Sequence, residues 1–422
     1  MPLRAAGCLA VLGLALLTPR VWPLGPAAAL PHTRAKPKIL LGIDALEREH
    51  FRPLQGLRVG LVANRASRDG RGRSTAAVLA AAPGVRLVEI LSLEHGFFVD
   101  TQANSIGSSA IKLDGRSIPV HSLYRGGITD GMRPTAADLQ GVDALVFDVQ
   151  DVGVRYYTYI ASMGMAMEAA QKAGARFIVL DRPDPLNGKT IEGPVSQKAI
   201  LRQETARNYF PIPIRYAMTC GEIARFYAAK LKYSGLSVVR MSGWKRSMWY
   251  DQTGLAWTPP SPALPNLNSA ILYPGMGMLD ASNLSAGRGT PEPFQWFGAP
   301  WLKADAMIGL LDAAHLPGVR FSREYLVPRT DIYAGRRCAG VKMTVVNRDR
   351  LKSVDVFAHV AAALMALQPK KARWDWKFLD QLAGTTRINA LLKNRAGAAS
   401  LERALDPDLK LFEKSRRPFL LY

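Results

Sequence analysis

Short apolar runs alternate with helical stretches from about residue 57 onward. Leu57 to Ala63 is apolar and rich in β-branched residues, and it ends at Asn64. Ser74 to Ala82 has the pattern of a helix, with Ser74 as N-cap and Pro83-Gly84 as its stop. Val85 to Leu93 is a second strand, ending at Glu94, and Ile118 to Leu123 makes a short one. Ala144 to Phe147 ends at Asp148, and an apolar helical stretch runs on to Gly174. Phe177 to Leu180 is a strand ending at Asp181. Thr219 to Leu231 reads as a helix opened by a Thr219–Glu222 capping box, and Ser237 to Met241 as a further strand. This β-α-β-α order predicts an α/β fold with a mostly parallel sheet. Its strands are apolar throughout rather than alternating, as strands buried on both faces should be.

The pattern changes at Trp244. From there to Pro300 the chain is rich in Pro, Gly, Trp, Asn and Ser and has weak periodicity, so long ordered loops that build or cover a site are expected. A helix (Leu302 to His315), a strand (Val341 to Val346) and a helix (Val354 to Leu367) follow. The predicted division is a signal over residues 1–29, a parallel-sheet subdomain over 36–240, and a loop-rich segment with a smaller C-terminal mixed α/β subdomain over 241–422.

Residues 1–29 have the secretory pattern of a basic Arg4, an apolar Ala5 to Leu17, and small residues Ala27-Ala28-Ala29 at a cleavage site. Arg20 and Pro23 lengthen the segment before that site, which leaves an uncleaved anchor open. No later segment is apolar for eighteen residues. The mature protein is therefore expected in the periplasm or outside the cell, without stable membrane insertion. Cys8 falls in the signal, while Cys220 and Cys338 either pair or stay as buried thiols. The formal charge of +21 fits either an anionic partner or a diffuse, solubilising surface. The basic residues are scattered and no nucleic-acid-binding motif is present, so nucleic acid is not the expected partner and an acidic carbohydrate suits the charge at least as well. No G-x-G-x-x-G follows the first strand and the six His are scattered, so neither a cofactor nor a metal is expected.

In an open parallel sheet, ligands bind outside the carboxyl ends of the strands. Those ends here carry Asn64, then Glu94 and His95, then Asp148, Gln150 and Asp151, then Asp181 and Arg182. Glu94 is the sharpest candidate, because it follows an apolar strand and Gly96 permits a tight turn after it. A carboxyl against apolar walls holds its proton to higher pH and can act as a general acid. His95 is the alternative acid–base group. Glycoside hydrolysis ordinarily needs a second carboxylate. Glu168, the lone acid of an apolar helical stretch, and Glu192, in the loop after the Asp181 strand, compete for that role, with Asp148 and Asp151 as orienting groups. Tyr156, Tyr157 and Tyr159 offer faces on which sugar rings stack. Asn283, Ser285 and Arg288 lie in a Gly-rich segment where Arg288, between two glycines, can reach an anion.

Taken together, these segments resemble the exo-β-N-acetylmuramidases of bacterial cell-wall recycling, long catalogued as a domain of unknown function. The similarity rests on Glu94-His95-Gly96-Phe97, Phe147 to Gly153 with Arg155 to Tyr159, Leu180 to Pro183, Pro211 to Arg215, Trp257 to Pro262, Asn283 to Thr290, Gly298 to Trp301, and Arg417 to Tyr422. It implies a Rossmann-like subdomain packed on a C-terminal mixed one, with the active site in the cleft between them. It also implies removal of terminal β-1,4-linked N-acetylmuramic acid from peptidoglycan-derived muropeptides or shorter fragments. Glu94 would be catalytic, with Glu168 rather than Glu192 as its partner, and Arg288, Arg155 or Arg182 would hold the lactyl carboxylate. The chain departs from the family's pattern at Ala286, at Asn64-Arg65-Ala66-Ser67, and in a longer connection from Arg125 to Met132.

Overall fold

The computed structural model describes residues 39–100, 106–126, 132–201, 206–406 and 409–422. The segment expected to be a secretory signal and most of the Arg125–Met132 connection lie outside them. Seven strands form one sheet: β1 (Arg58–Ala63), β2 (Arg86–Ser92), β3 (Ser109–Leu113), β4 (Arg116–Ser122), β5 (Ala144–Asp148), β6 (Arg176–Leu180) and β7 (Leu236–Val239). Their order is β3-β4-β2-β1-β5-β6-β7. All pairings are parallel except β3 with β4. The chain leaves β1 for β2 on one side and later returns to β5 on the other. The strand order therefore reverses at β1, and ligand sites form beside such a reversal.

Side chains along each strand alternate between two cores, as a period of two requires. In β5, Leu145 and Phe147 face one core while Ala144 and Val146 face the other. Helices α1 (Gly42–Arg48) and α2 (Thr75–Ala80) cover the second face, and α3 (Tyr159–Lys172) and α4 (Cys220–Leu231) the first. The expected caps are present. Ser74 Oγ accepts from the Ala77 amide at 3.2 Å, and Thr219 and Glu222 cap α4 reciprocally. Strand β3 escaped the hydrophobic reading because it is an exposed edge. Its signal was the pair Asp114-Gly115, whose φ angles of 49° and 71° make a two-residue hairpin turn onto β4.

The C-terminal half is less loop-like than its composition predicts. It contains α5 (Leu267–Met276), β8 (Trp296–Ala299), α6 (Ala304–Ala313), β9 (Val319–Leu326), β10 (Cys338–Val345) and α7 (Ser353–Leu367). Four shorter helices follow: α8 (Trp376–Ala383), α9 (Arg387–Lys393), α10 (Ala398–Leu405) and α11 (Lys410–Arg416). Strands β8, β10 and β9 form a small antiparallel sheet. Helix α5 was hidden because most of its residues are buried, which erases an amphipathic stripe, and Pro274 lies within it. Val341, Met343, Phe357 and Leu364 belong to the same core as Leu145 and Phe147. One face of the parallel sheet thus shares its core with the C-terminal half. Cys220 and Cys338 are both free and buried.

Candidate active site

Glu94 lies just past the end of β2, in a turn closed by the Gly96 amide donating to the Leu93 carbonyl at 3.0 Å. His95 and Gly96 both take left-handed φ angles, 71° and 76°, so the chain reverses sharply there. The reversal leaves the Glu94 carboxylate at the wall of a cavity of about 300 Å³. Thr158, the residue before α3, donates its hydroxyl to Glu94 Oε2 at 2.5 Å, and Tyr124 donates to Oε1 at 3.3 Å. Burial first, and then the charge of Glu94, push the Tyr124 phenol up to about 12, so it remains a donor at neutral pH. The Glu94 side chain is thus held by two hydroxyls that lie beside it in space and far from it in sequence.

The rest of the wall comes from both halves of the chain. Tyr156 and Tyr157 line it from the β5–α3 connection. The Tyr156 hydroxyl donates to the carbonyls of Tyr273 and Pro274 at 2.8 and 2.9 Å, and that of Tyr157 to the Pro260 carbonyl at 3.0 Å. Asp280, Arg288 and Phe294 face the cavity from the stretch after α5, Asp331 from the β9–β10 connection, and Phe378 and Leu382 from α8. Gly287 and Gly289 flank Arg288 with φ of 81° and 74°. A Cβ on either would meet backbone oxygen, that of Glu292 at 2.6 Å or of Thr330 at 2.5 Å. Arg288 forks onto Asp280, with its closest contact at 2.7 Å, and lies over the Phe294 ring. Burial works against its charge, but Asp280 outweighs that, so its pKa is raised.

A model of the N-terminal part of the exo-β-N-acetylmuramidase NamZ family matches residues 59–268, and the C-terminal model matches 271–422. The chain belongs to the NamZ family. It is 37% identical over 399 residues to the peptidoglycan β-N-acetylmuramidase NamZ of Bacillus subtilis strain 168, which spans 92% of this chain and 93% of that one. Two crystal structures of DUF1343 family proteins from Bacteroides fragilis share the fold. One has a TM-score of 0.84 at 34% identity, covering 92% of this chain and 100% of its own. The other has a TM-score of 0.70 at 24% identity, covering 91% and 99%.

Glu94, His95, Tyr156, Tyr157 and Arg288 are the expected site residues that this NamZ-family fold brings to the cavity wall. Glu168 is not brought there. Helix α3 starts at Tyr159, so Glu168 lies nine residues along it, roughly 14 Å at about 1.5 Å per residue. Its carboxylate is bound by Arg133 at 2.6 Å, by the Tyr209 hydroxyl at 2.6 Å, and by Tyr227. Burial works to raise its pKa, but those donors outweigh it and hold it down at about 2. Glu192 is also elsewhere, buried against Arg215 at 2.6 Å. If Glu168 is scaffold, Glu168→Gln should lower the thermal midpoint while leaving kcat within a few-fold of wild type. A kcat loss as deep as that of a Glu94 variant would return Glu168 to the catalytic machinery.

Most of the other expected binding residues are buried on partners of their own and do not line the cavity. Asn64 donates to the Tyr159 hydroxyl at 3.0 Å and caps its own turn through the Ala66 amide at 2.9 Å. Tyr159 in turn donates to the Pro260 carbonyl at 2.6 Å, which ties the first strand's end to the site loop. Asp148 is bound by Arg182 and by the Thr75 hydroxyl. Gln150 donates to the carbonyls of Asp151 and Pro183 at 2.8 and 3.0 Å. Asp181 accepts from Thr219 at 2.7 Å, from the Gly221 amide at 2.8 Å and from the terminal Tyr422 at 2.8 Å, and burial pushes its pKa up to about 6. Arg155 donates to Asn208, to the Leu382 carbonyl at 3.0 Å and to the Arg207 carbonyl at 3.4 Å, and burial pushes its pKa down to about 9. Asn283 pins the 371–373 segment, and Ser285 bridges to Gly298. These residues fail to reach the cavity for one physical reason. Loops crossing a strand edge bury its polar ends, and buried polar groups must find partners among themselves.

Sequence reasoning missed Arg207, Tyr124, Asp280, Asp331 and Phe378, all of which line the cavity. Asp280 did carry a signal. It is the sole charged residue between Pro265 and Gly287.

Proposed function

We propose that this protein is an exo-acting glycoside hydrolase that releases N-acetylmuramic acid from the non-reducing ends of β-1,4-linked peptidoglycan fragments. The observation that carries the proposal is a single carboxyl group, Glu94, held by two hydroxyls at the wall of a small polar cavity. A volume of about 300 Å³ is at the low end of the roughly 300–1,000 Å³ usual for ligand sites. That suits one terminal sugar rather than a run of them. Family membership and the name of the Bacillus subtilis relative support the same substrate.

In this reading Glu94 gives its proton to the glycosidic oxygen as the bond to the anomeric carbon breaks and an oxocarbenium-like transition state develops. A water, or the oxygen of the substrate's own acetamido group, closes on the anomeric carbon. Asp280, held by Arg288 on the cavity wall, serves in this reading as the second carboxylate and accepts a hydrogen bond from that water or from the acetamido N–H. The tyrosines supply the stacking walls. Export is part of the same proposal, supported by the secretory pattern of residues 1–29 and by the place of peptidoglycan outside the cytoplasmic membrane.

The test is to incubate the purified protein with a chromogenic β-N-acetylmuramide and with the matching β-N-acetylglucosaminide. Chromophore release from the muramide is expected. Binding of the muramide without release would replace the enzyme with a sugar-binding protein.

A further inference from the structure

Two arginines line the cavity among the described residues, Arg207 and Arg288. They are not equivalent. Arg288 is taken by Asp280 through a fork of three contacts at 2.7 to 3.2 Å. Among the described residues, no carboxylate lies within ion-pair distance of Arg207. Its side chain makes one long hydrogen bond to a neutral acceptor, Gln381 Oε1, at 3.3 Å. The guanidinium lies over the Phe378 ring, 4.5 Å from the centroid. Stacking fixes the plane of the group and leaves its N–H edge available, and that edge is the part that forks onto a carboxylate.

The position is also built from behind. Arg155 donates to the Arg207 carbonyl at 3.4 Å. The adjoining Asn208 donates to the Gln381 carbonyl at 2.6 Å and accepts from Ser196 Oγ at 2.7 Å. Arg207 and its stacking partner are therefore held to the same helix, α8. Burial lowers the Arg207 pKa, and the more distant charges of Glu94 and its neighbours only partly oppose that. A cation left short of a counter-charge inside a cavity favours an incoming anion.

We propose that Arg207 selects the acidic sugar, its guanidinium taking the carboxylate of the lactyl ether that distinguishes N-acetylmuramic acid from N-acetylglucosamine. The inference rests on the reading of the cavity as a muramic acid site. It replaces the three arginines expected to do this work. Arg155 and Arg182 are buried behind the wall on other partners, and Arg288 is neutralised by Asp280.

Calorimetric binding of free N-acetylmuramic acid and of its lactyl methyl ester, which lacks the charge, tests the assignment without requiring turnover. Wild-type protein should prefer the acid by on the order of 100-fold, the size of effect seen when one partner of a desolvated charge pair is removed. Arg207→Ala should erase the preference while binding the ester about as wild type does. Arg207→Gln, which keeps the stack on Phe378, should erase it as well, so a folding defect in the alanine variant would not hide the result. Arg207→Lys should restore part of it. Equal binding of acid and ester by wild type, no binding of the acid, or a preference that survives in both neutral variants would each overturn the proposal. Absence of chromophore release from a muramide would instead count against the hydrolase reading and leave the binding comparison intact.

Discussion

Glu94→Gln is expected to lower kcat on a chromogenic β-N-acetylmuramide by roughly 10²–10⁴-fold, the usual contribution of a positioned proton donor. Glutamine matches glutamate in shape. Its amide oxygen can still accept from Thr158, and its NH₂ can turn to the Tyr124 oxygen, so the turn after β2 should survive. What is lost is the proton. KM should therefore change little and the thermal midpoint hardly at all. The loss should also depend on the leaving group. A dinitrophenolate departs with little need of protonation, so the variant should recover much of its rate on that substrate and least on a natural sugar leaving group. A Glu94→Gln enzyme that turns over the natural linkage near the wild-type rate would remove Glu94 from the chemistry.

Arg182→Met is expected to destabilise the fold by about 3–5 kcal/mol, the cost of stranding one member of a buried ion pair. Asp148 is 0% exposed and Arg182 4% exposed. The pair links the end of β5 to the loop after β6, and Arg182 also donates to the Arg68 carbonyl at 2.8 Å in the loop after β1. Removing the guanidinium leaves a carboxylate in the interior with the Thr75 hydroxyl as its remaining side-chain donor. Denaturant titration measures the loss directly. Arg182→Met with Asp148→Leu should regain part of it, because an apolar pair carries no stranded charge. Neither residue lines the cavity, so activity per folded molecule should stay near wild type. A loss well under 1 kcal/mol would show that the interior accommodates the bare carboxylate, and the scaffold role would fall.

These two experiments separate residues that looked alike in the sequence. Glu94 and Asp148 both follow apolar strands that end at the same edge of the sheet. Glu94 stays at the surface of a cavity because His95 and Gly96 reverse the chain at once, and Gly96 marked that turn in advance. Asp148 is instead enclosed by Arg182, from the loop after β6, and by Thr75, at the start of α2. Nothing local distinguishes the two outcomes, since the covering chain comes from elsewhere. The same holds for Arg155 and Arg207. The first sits among tyrosines in a motif and looked like a sugar ligand, yet it became a buried tie to α8. The second had no motif around it and became, among the described residues, the cavity arginine without a carboxylate partner.

Periodicity and caps by themselves determined the parallel α/β sheet, its doubly buried strands and the helices over its faces. These follow from nearest-neighbour geometry along the chain, from a period of two in strands and from end groups that must be capped. Tertiary structure decided the rest. It revealed the helix hidden in the loop-rich segment, moved Glu168 away from the cavity, and set Asp280 and Arg207 in its wall. Those outcomes depend on which distant segments meet, and each meeting is decided by burial and by the pairing of polar groups that no single stretch of sequence contains.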